Sequence, residues 1–300
     1  MQARTASMKT AIHLLCLAIL LARTSFGETP AKAPEASAPP LFSQEGSDLP
    51  FAAWVERGTV KPGEKFSKGP FPGSRVRVNH DLLEKQVGKP GPIPKEIGLH
   101  TQVCGDNIRR KDFGNWTRWY QEDRNVQVFR LFKGEQNTRG GIGENGSPGR
   151  VEVFSRELTA TPGSWHEWEG TYTLVDPVGA CVFQLMHKGS LWPMHMDMTD
   201  QGEIHFLRRR PAPGMERQIP LADNMTGRSI RIKVRADGEN FEVYQKNPPD
   251  SDSWKLVTRG TGPKAENHKI QFRWGMYCGS KKGLSVRKDA MLFVTGVTIK

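Results

Sequence analysis

Three short apolar runs of the sequence are interrupted by polar residues or glycine at positions that share one face of a β-strand. These residues are Arg150 and Glu152 in the first run, Gln184 in the second, and Arg273, Gly275 and Tyr277 in the third. Arginine can bind a carboxylate through two parallel hydrogen bonds, glutamine can hydrogen-bond the neutralised group, and glycine leaves room for a sugar ring to approach the backbone. Tyrosine can donate or accept a proton. The three runs therefore predict a sheet face that binds an extended anionic sugar.

The rest of the sequence predicts the sheet that carries this face. From Leu99 onward, short runs with period-two alternation are separated by Gly, Pro, Asn and Asp. Nine or more such strands without a helical period between them predict an antiparallel sandwich, and a unit of this length fits a large jelly roll. The 31 Gly and 21 Pro residues also make an all-helical bundle a poor alternative.

The same three runs resemble strands of the jelly-roll polysaccharide lyases of the alginate lyase and glucuronan lyase type. Residues 272–277, Phe-Arg-Trp-Gly-Met-Tyr, resemble the Phe-Lys-Ala-Gly-x-Tyr strand of that family. Residues 150–152, Arg-Val-Glu, are similar to its Arg-x-Glu-Leu strand, and residues 183–184, Phe-Gln, to its Gln-x-His strand. The order of the motifs agrees, and the resemblance covers residues 100–300. It implies an all-β, concanavalin A-like jelly-roll β-sandwich.

The resemblance also implies a reaction, β-elimination, in which a uronate carboxylate is neutralised, the proton on the adjacent carbon is removed, and the glycosidic oxygen leaves. Position by position, Arg150 and Gln184 would bind and neutralise the uronate, and Tyr277 would be the general acid and can serve as the base. The implied substrate-binding residues are Arg273, which stands where the family has Lys, Glu152 and Gly275. Because a phenol is a weak acid, cations must lie near Tyr277, and Arg150 and Arg273 are the expected sources. No cofactor and no metal are implied.

The sequence departs from the family pattern at the histidine. In the family, Gln and His are two residues apart and share a face, whereas here Met186 is two residues after Gln184 and His187 follows it. A β-bulge could bring His187 back to the face, His195 or His205 could take its place, or the base is missing and the domain binds without cleaving. His187 is retained as a candidate catalytic residue.

Two functions follow from these residues. The first is a secreted polysaccharide lyase that cleaves a uronate-containing polysaccharide by β-elimination. The second is a non-catalytic, lectin-like carbohydrate-binding module on the same fold. The two are separated by whether a histidine joins Gln184, Arg150 and Tyr277 within one cleft. In both cases the expected partner is an acidic polysaccharide, and the expected oligomeric state is a monomer.

The N-terminal third of the sequence predicts export and a tether. Residues 1–27 combine basic residues, an apolar stretch and a small-residue cleavage site, which predicts a signal peptide; an uncleaved anchor is the alternative. Residues 28–50 form a Pro/Ala-rich linker, residues 51–98 an irregular extension, and residues 99–300 the sandwich domain. The mature protein is therefore expected to be secreted or periplasmic, with no stable membrane span after cleavage.

Charge and cysteine content limit the partners further. The net charge of +11 falls to +8 once Arg4, Lys9 and Arg23 are removed with the signal peptide. A basic surface suits nucleic acid, anionic lipid or acidic polysaccharide. Secretion and the lack of aromatic residues interleaved with basic ones on one outward face disfavour nucleic acid. Three cysteines remain, so at most one disulfide can form, and the pairing among them stays open. These cysteines are Cys104, Cys181 and Cys278.

Overall fold

A computed structural model describes residues 39–49, 53, 56–58, 73–101, 107–113, 117–135, 149–189, 191–209, 211, 213–278 and 288–300. The predicted signal peptide, residues 1–27, lies outside these residues, as does Cys104. Within them, no helix has the length and apolar character needed to cross a membrane.

The described residues form many strands, two short α-helices and one 3₁₀ turn. In chain order the elements are β1 (Phe42–Glu45), β2 (Arg75–Val78), α1 (His80–Val87), β3 (Ile97–Thr101), β4 (Asn107–Arg109), α2 (Arg110–Phe113), β5 (Tyr120–Asp123), β6 (Val126–Leu131), β7 (Arg150–Ser155), β8 (Leu158–Thr159), β9 (His166–Asp176), β10 (Ala180–His187), β11 (Leu191–Met198), β12 (Ile204–Arg208), β13 (Gln218–Ala222), β14 (Ser229–Ala236), β15 (Asn240–Lys246), β16 (Lys255–Thr261), the 3₁₀ turn (Glu266–His268), β17 (Lys269–Tyr277) and β18 (Ala290–Ile299).

Two antiparallel sheets pack face to face, and the prediction of an all-β jelly-roll sandwich is confirmed. The larger sheet has the strand order β13-β12-β11-β10-β17-β7-β3-β4, with β8 beside β17. The smaller sheet has the order β16-β15-β14-β9-β18-β6-β5. The three strands that carry the predicted site, β10, β17 and β7, are therefore neighbours near the middle of the larger sheet.

Aromatic rings between the sheets hold these central strands in place. Trp168 of the smaller sheet packs against Phe183 and Trp274 of the larger one, with ring centroids 4.8 and 5.8 Å apart. The indole N–H of Trp274 donates a hydrogen bond of 2.8 Å to the side-chain oxygen of Gln127, across the sandwich. All three rings are buried, and burial of a side chain of this kind is worth about 1.5–3 kcal/mol. The inner faces of β10 and β17 are thus anchored, and their outer faces are left for the site.

The outer face of the smaller sheet carries the basic residues that the alternation placed there. In β14, Arg231, Lys233 and Arg235 are partly exposed while the intervening Ile and Val are buried. Lys233 Nζ lies 4.2 Å from the ring centroid of Trp254, and glutamates of the same sheet pair with the cations. Aromatic and basic side chains are therefore interleaved on this face, contrary to the expectation from sequence. Trp254 lies outside the strands, so only the fold brings it there.

The N-terminal part of the described chain is more ordered than its composition suggests. One compact unit runs from Pro40 to Lys300, and it includes β1, β2 and α1, in a region for which the sequence predicts linker and irregular extension. Val76 and Val78 of β2 and Leu83 of α1 form a small core with residues of β6 and β18. The backbone N–H of Val76 donates to the side chain of Gln121, 45 positions away. Structure packed on the sandwich thus extends to the N-terminal side of residue 99.

Candidate functional site

The pairing of neighbouring strands arranges the polar residues in two rows across the outer face of the larger sheet. In the first row, Gln184 of β10 lies opposite Arg273 of β17 on one side and His195 of β11 on the other. Residues directly opposite each other in antiparallel strands project from the same face. The side chains of an arginine, a glutamine and a histidine therefore stand side by side.

The second row lies nearer one end of the strands. Tyr277 of β17 is opposite Cys181 of β10 and, on its other side, Arg150 of β7. Cys181 is in turn opposite Asp197 of β11, which is opposite His205 of β12. Strand pairing thus brings the Arg, Gln and Tyr motifs of the sequence to one face.

An irregularity in β10 brings the two rows together. The register shifts between Cys181 and Phe183, and both Val182 and Phe183 are buried in the core. Because two successive side chains point inward, Gln184 returns to the outer face, the same side as Cys181. Without this bulge, the alternation would turn Gln184 inward.

A cleft of about 680 Å³ opens on this face. Its lining includes Gln184, His195, Asp197, His205 and Tyr277. His195 Nε2 lies 3.3 Å from Asp197 Oδ1, a distance typical of an ion pair but without a hydrogen bond between the two groups. A histidine therefore shares a cleft with the predicted glutamine and tyrosine.

His187 does not line this cleft, so a bulge that would return it there, one of the three alternatives from the sequence, is not what the structure has. Its side chain is 2% exposed, and its Nδ1 lies 2.5 Å from the carbonyl oxygen of Pro263. Burial lowers the pKa of His187, and the contact with Pro263 partly opposes that effect. His187 follows Met186 and so points to the layer opposite Gln184, outside the cleft lining. His187 lines a small separate cavity together with Arg273, and His195 occupies the position beside Gln184.

Arg150 lies behind Tyr277 and is not among the residues that line the cleft. Its guanidinium carbon is 3.6 Å from the centroid of the Tyr277 ring. Its Nε is 3.1 Å from Glu152 Oε2, and its Nη1 is 3.4 Å from His100 Nδ1. The cation therefore packs on the phenol ring and supports it. The structure places Arg150 for this role more directly than for contact with a substrate.

Glu152 is fully buried beneath the face, between Arg150 and Arg273. Burial raises the pKa of Glu152, and the two guanidinium groups oppose this rise. Burial likewise lowers the pKa of Arg273, whose Nε donates a 2.8 Å hydrogen bond to Gln271. Because Glu152 has no exposed surface, it is not placed to contact a bound molecule directly.

Gly275 is buried opposite Glu152 on β7. Its φ is +132°, and a Cβ there would lie 2.4 Å from the carbonyl oxygen of Val151 and 2.8 Å from the ring of Phe129. The missing side chain thus makes room for the neighbouring strand and for the core. The structure gives a packing reason for this glycine, whereas the sequence predicted room for a sugar ring.

Two free thiols, Cys181 and Cys278, also line the cleft. Burial raises the pKa of Cys278 to about 12 and raises the pKa of Cys181 well above the ordinary thiol value. Both thiols are therefore protonated and neutral near pH 7. Among the described residues, no group of three or more His, Cys, Asp or Glu side chains is arranged to hold a metal ion.

No protein-family model and no curated protein match the chain. Solved structures do resemble it. Alginate lyase A1-II′, a member of polysaccharide lyase family 7, is 12% identical, with a TM-score of 0.49 over 69% of this chain and 94% of that chain. An alginate lyase from Alteromonas sp. 272 is 14% identical, with a TM-score of 0.45 over 70% and 98%. An alginate lyase from Klebsiella pneumoniae is 11% identical, with a TM-score of 0.44 over 69% and 95%. At these identities the likeness concerns the fold alone.

Proposed function

We propose that this chain is a secreted or periplasmic polysaccharide lyase that cleaves a uronate-containing polysaccharide by β-elimination. One observation carries the proposal: Gln184, His195 and Tyr277 line a single cleft on the outer face of the larger sheet. The row formed by Arg273, Gln184 and His195 adds a cation beside the amide, and Arg273 lines two smaller cavities on the β7 side of this cleft. Carboxylate binding and proton transfer are thereby supplied at adjacent positions.

The first step is neutralisation of the uronate carboxylate. The guanidinium of Arg273 and the amide of Gln184 project side by side from neighbouring strands. A guanidinium binds a carboxylate bidentately, and an amide N–H donates to the remaining lone pairs. Withdrawal of charge from the carboxylate acidifies the proton on the adjacent carbon, so a base of modest strength can remove it.

The second step is elimination. His195, whose Nε2 lies 3.3 Å from Asp197 Oδ1, takes the proton from the carbon adjacent to the carboxylate. The electron pair of that C–H bond forms a carbon–carbon double bond, and the bond from the next carbon to the glycosidic oxygen breaks. The phenol of Tyr277 gives its proton to the departing oxygen. The guanidinium carbon of Arg150 lies 3.6 Å from the centroid of the Tyr277 ring and supports that ring at the site.

The second candidate is a lectin-like module that binds the same polymer without cleaving it. The observation that favours it is Met186, which stands two residues after Gln184 where the related lyases have histidine. If His195 does not replace that base, the cleft retains its carboxylate-binding groups and loses turnover.

The test is a turnover assay on uronate polymers, with the ultraviolet absorbance of the unsaturated product as readout and binding measured in parallel. Tyr277→Phe should lower kcat by about 10²–10⁴, the usual contribution of a general acid or base, with binding retained. His195→Gln should lower kcat by a similar factor. Unchanged turnover in Tyr277→Phe would remove the phenol from the mechanism.

The His187→Gln variant tests which of the two histidines, His187 or His195, acts as the base. We expect this variant to keep the turnover of the parent, because His187 lies outside the cleft lining, with folding checked by circular dichroism. Loss of turnover in a folded His187→Gln protein, together with an active His195→Gln protein, would reverse the assignment. Binding without product from any uronate polymer would favour the lectin-like module.

A further inference from the structure

The outer face of the larger sheet has different charge at its two ends. On the β7 side, a cavity of about 310 Å³ is lined by His100, Arg109 and Arg273, with Glu157 as the only acidic residue among its described lining. A smaller adjoining cavity adds Lys188 and Lys269. This end is basic.

The end formed by β11, β12 and β13 is different. Among the described residues that line the 680 Å³ cleft there is no Lys or Arg, and two carboxylates, Asp197 and Asp200, are present. The other polar lining residues at this end offer hydrogen-bonding groups. They are Thr199, Gln201, His205 and Gln218.

The ring of Trp192 also lines this end of the cleft. It packs against His195 with ring centroids 4.4 Å apart. The nearby guanidinium of Arg209 lies 5.4 Å from the Trp192 centroid, outside the cleft lining, and is engaged with that ring. An aromatic ring, amides and carboxylates suit the apolar face and the hydroxyl groups of a neutral sugar. A uronate here would face Asp197 and Asp200 with no described lysine or arginine in the lining to offset the repulsion.

We propose that the substrate alternates a uronate with a neutral sugar, and that this chain discriminates against polymers made only of uronates. The uronate occupies the Arg273–Gln184 position, and the neutral sugar next to it occupies the β11–β13 end of the cleft. The inference rests on the proposed function for the position of the uronate. The neutral site itself follows from the charge of the lining.

The test compares polymers that share one uronate. Unsulfated chondroitin alternates glucuronate with a neutral amino sugar derivative, whereas polyglucuronate contains glucuronate alone. We expect kcat/KM for the alternating polymer to be at least about tenfold higher. Equal or higher turnover of polyglucuronate, alginate or pectate would overturn the inference and leave the lyase function standing.

Binding to the Tyr277→Phe protein tests the inference without turnover. A preference of this variant for the alternating polymer supports the neutral site, even if the parent protein cleaves no polymer. Absence of cleavage by the parent would refute the lyase proposal but not the neutral site. Tighter binding of polyglucuronate would overturn the neutral site.

A substitution that adds a positive charge tests the neutral end of the cleft directly. Gln218 is exposed on β13 and lines the cleft, so Gln218→Lys places a cation at the neutral end. Affinity for polyglucuronate should then rise at least about threefold, with little change for chondroitin. Gln44→Lys, on exposed β1 outside the cleft lining, adds the same net charge and serves as the control. Equal gains in the two variants would show a general charge effect and refute the neutral site.

Discussion

Replacing Gly275 by alanine should lower the free energy of unfolding by about 2–5 kcal/mol, through backbone strain and overpacking together. The φ of Gly275 is +132°, in the half of the backbone map that residues with a Cβ rarely occupy. The new methyl group would lie 2.4 Å from the carbonyl oxygen of Val151 and 2.9 Å from the Cα of Glu152. Both contacts are with the backbone of β7, which cannot rotate away as a side chain can.

The two contributions can be estimated separately. A residue with a Cβ at positive φ costs about 1–2 kcal/mol, and an extra methyl group in a closely packed interior costs about 1–3 kcal/mol. A domain of this size has a total stability of about 5–15 kcal/mol. The melting temperature should therefore fall by about 4–20 °C, at about 2–4 °C for each kcal/mol.

Urea unfolding and thermal unfolding of the parent and of the variant give the free energy of unfolding and the melting temperature. Gly163→Ala is the matched control, because Gly163 has φ +85° with no atom within 4 Å of an added Cβ. The control should lose about 1–2 kcal/mol from the backbone alone. If Gly275→Ala loses no more than Gly163→Ala, the close contact of β7 with β17 is refuted. The placement of Arg150 on the Tyr277 ring depends on the same contact.

Two further predictions follow from buried titratable groups. Burial lowers the pKa of His187, so below the ordinary histidine pKa of 6.5 the unfolded chain binds a proton that the native chain does not. The free energy of unfolding should therefore fall as the pH drops through that value, by at most about 1.4 kcal/mol per pH unit. The His187→Gln variant should lose this part of the pH dependence. If urea unfolding shows the same pH dependence in the variant as in the parent, the burial of His187 is contradicted. The raised pKa of Cys278, about 12, should make its alkylation near pH 7 at least about a hundredfold slower in the folded protein than in the unfolded one. Rapid labelling of the native Cys278 peptide, measured by mass spectrometry, would refute its protonated state.

The sandwich and the strand faces could be predicted because they depend on local pattern. In β14 and β17, alternation of apolar and polar residues determines which side chains are buried, and it does so independently of which strands lie beside them. The meeting of Gln184 with His195 depends on strand pairing and on the bulge after Cys181. A shift of one residue turns every side chain of a strand to the other face, and the sequence carries no local mark of this bulge. The sequence could therefore only name His195 as one of several alternatives.

The order near the N-terminus could not be predicted for a related reason. The bonds that hold this region are long-range, from side chain to backbone: Gln121 bonds the backbone of Val76, and Arg130 bonds the carbonyl oxygen of Ser74, 56 positions away. The local sequence pattern here is that of a Gly- and Pro-rich segment, and the strand β2 is only four residues long. Its stability comes from partners that composition does not reveal.

The buried charges beneath the cleft argue that this face is kept for function. Glu152 is fully buried, and neither of its carboxylate oxygens has a hydrogen-bond partner among the described residues. Replacing a buried ion pair by apolar residues of similar volume is often neutral or stabilising by about 1–4 kcal/mol, so stability alone would not retain a carboxylate here. Its charge attracts both Arg150 and Arg273, one over the Tyr277 ring and the other beside Gln184. A single buried acid thereby orients the cation that supports the phenol and the cation that would bind the uronate.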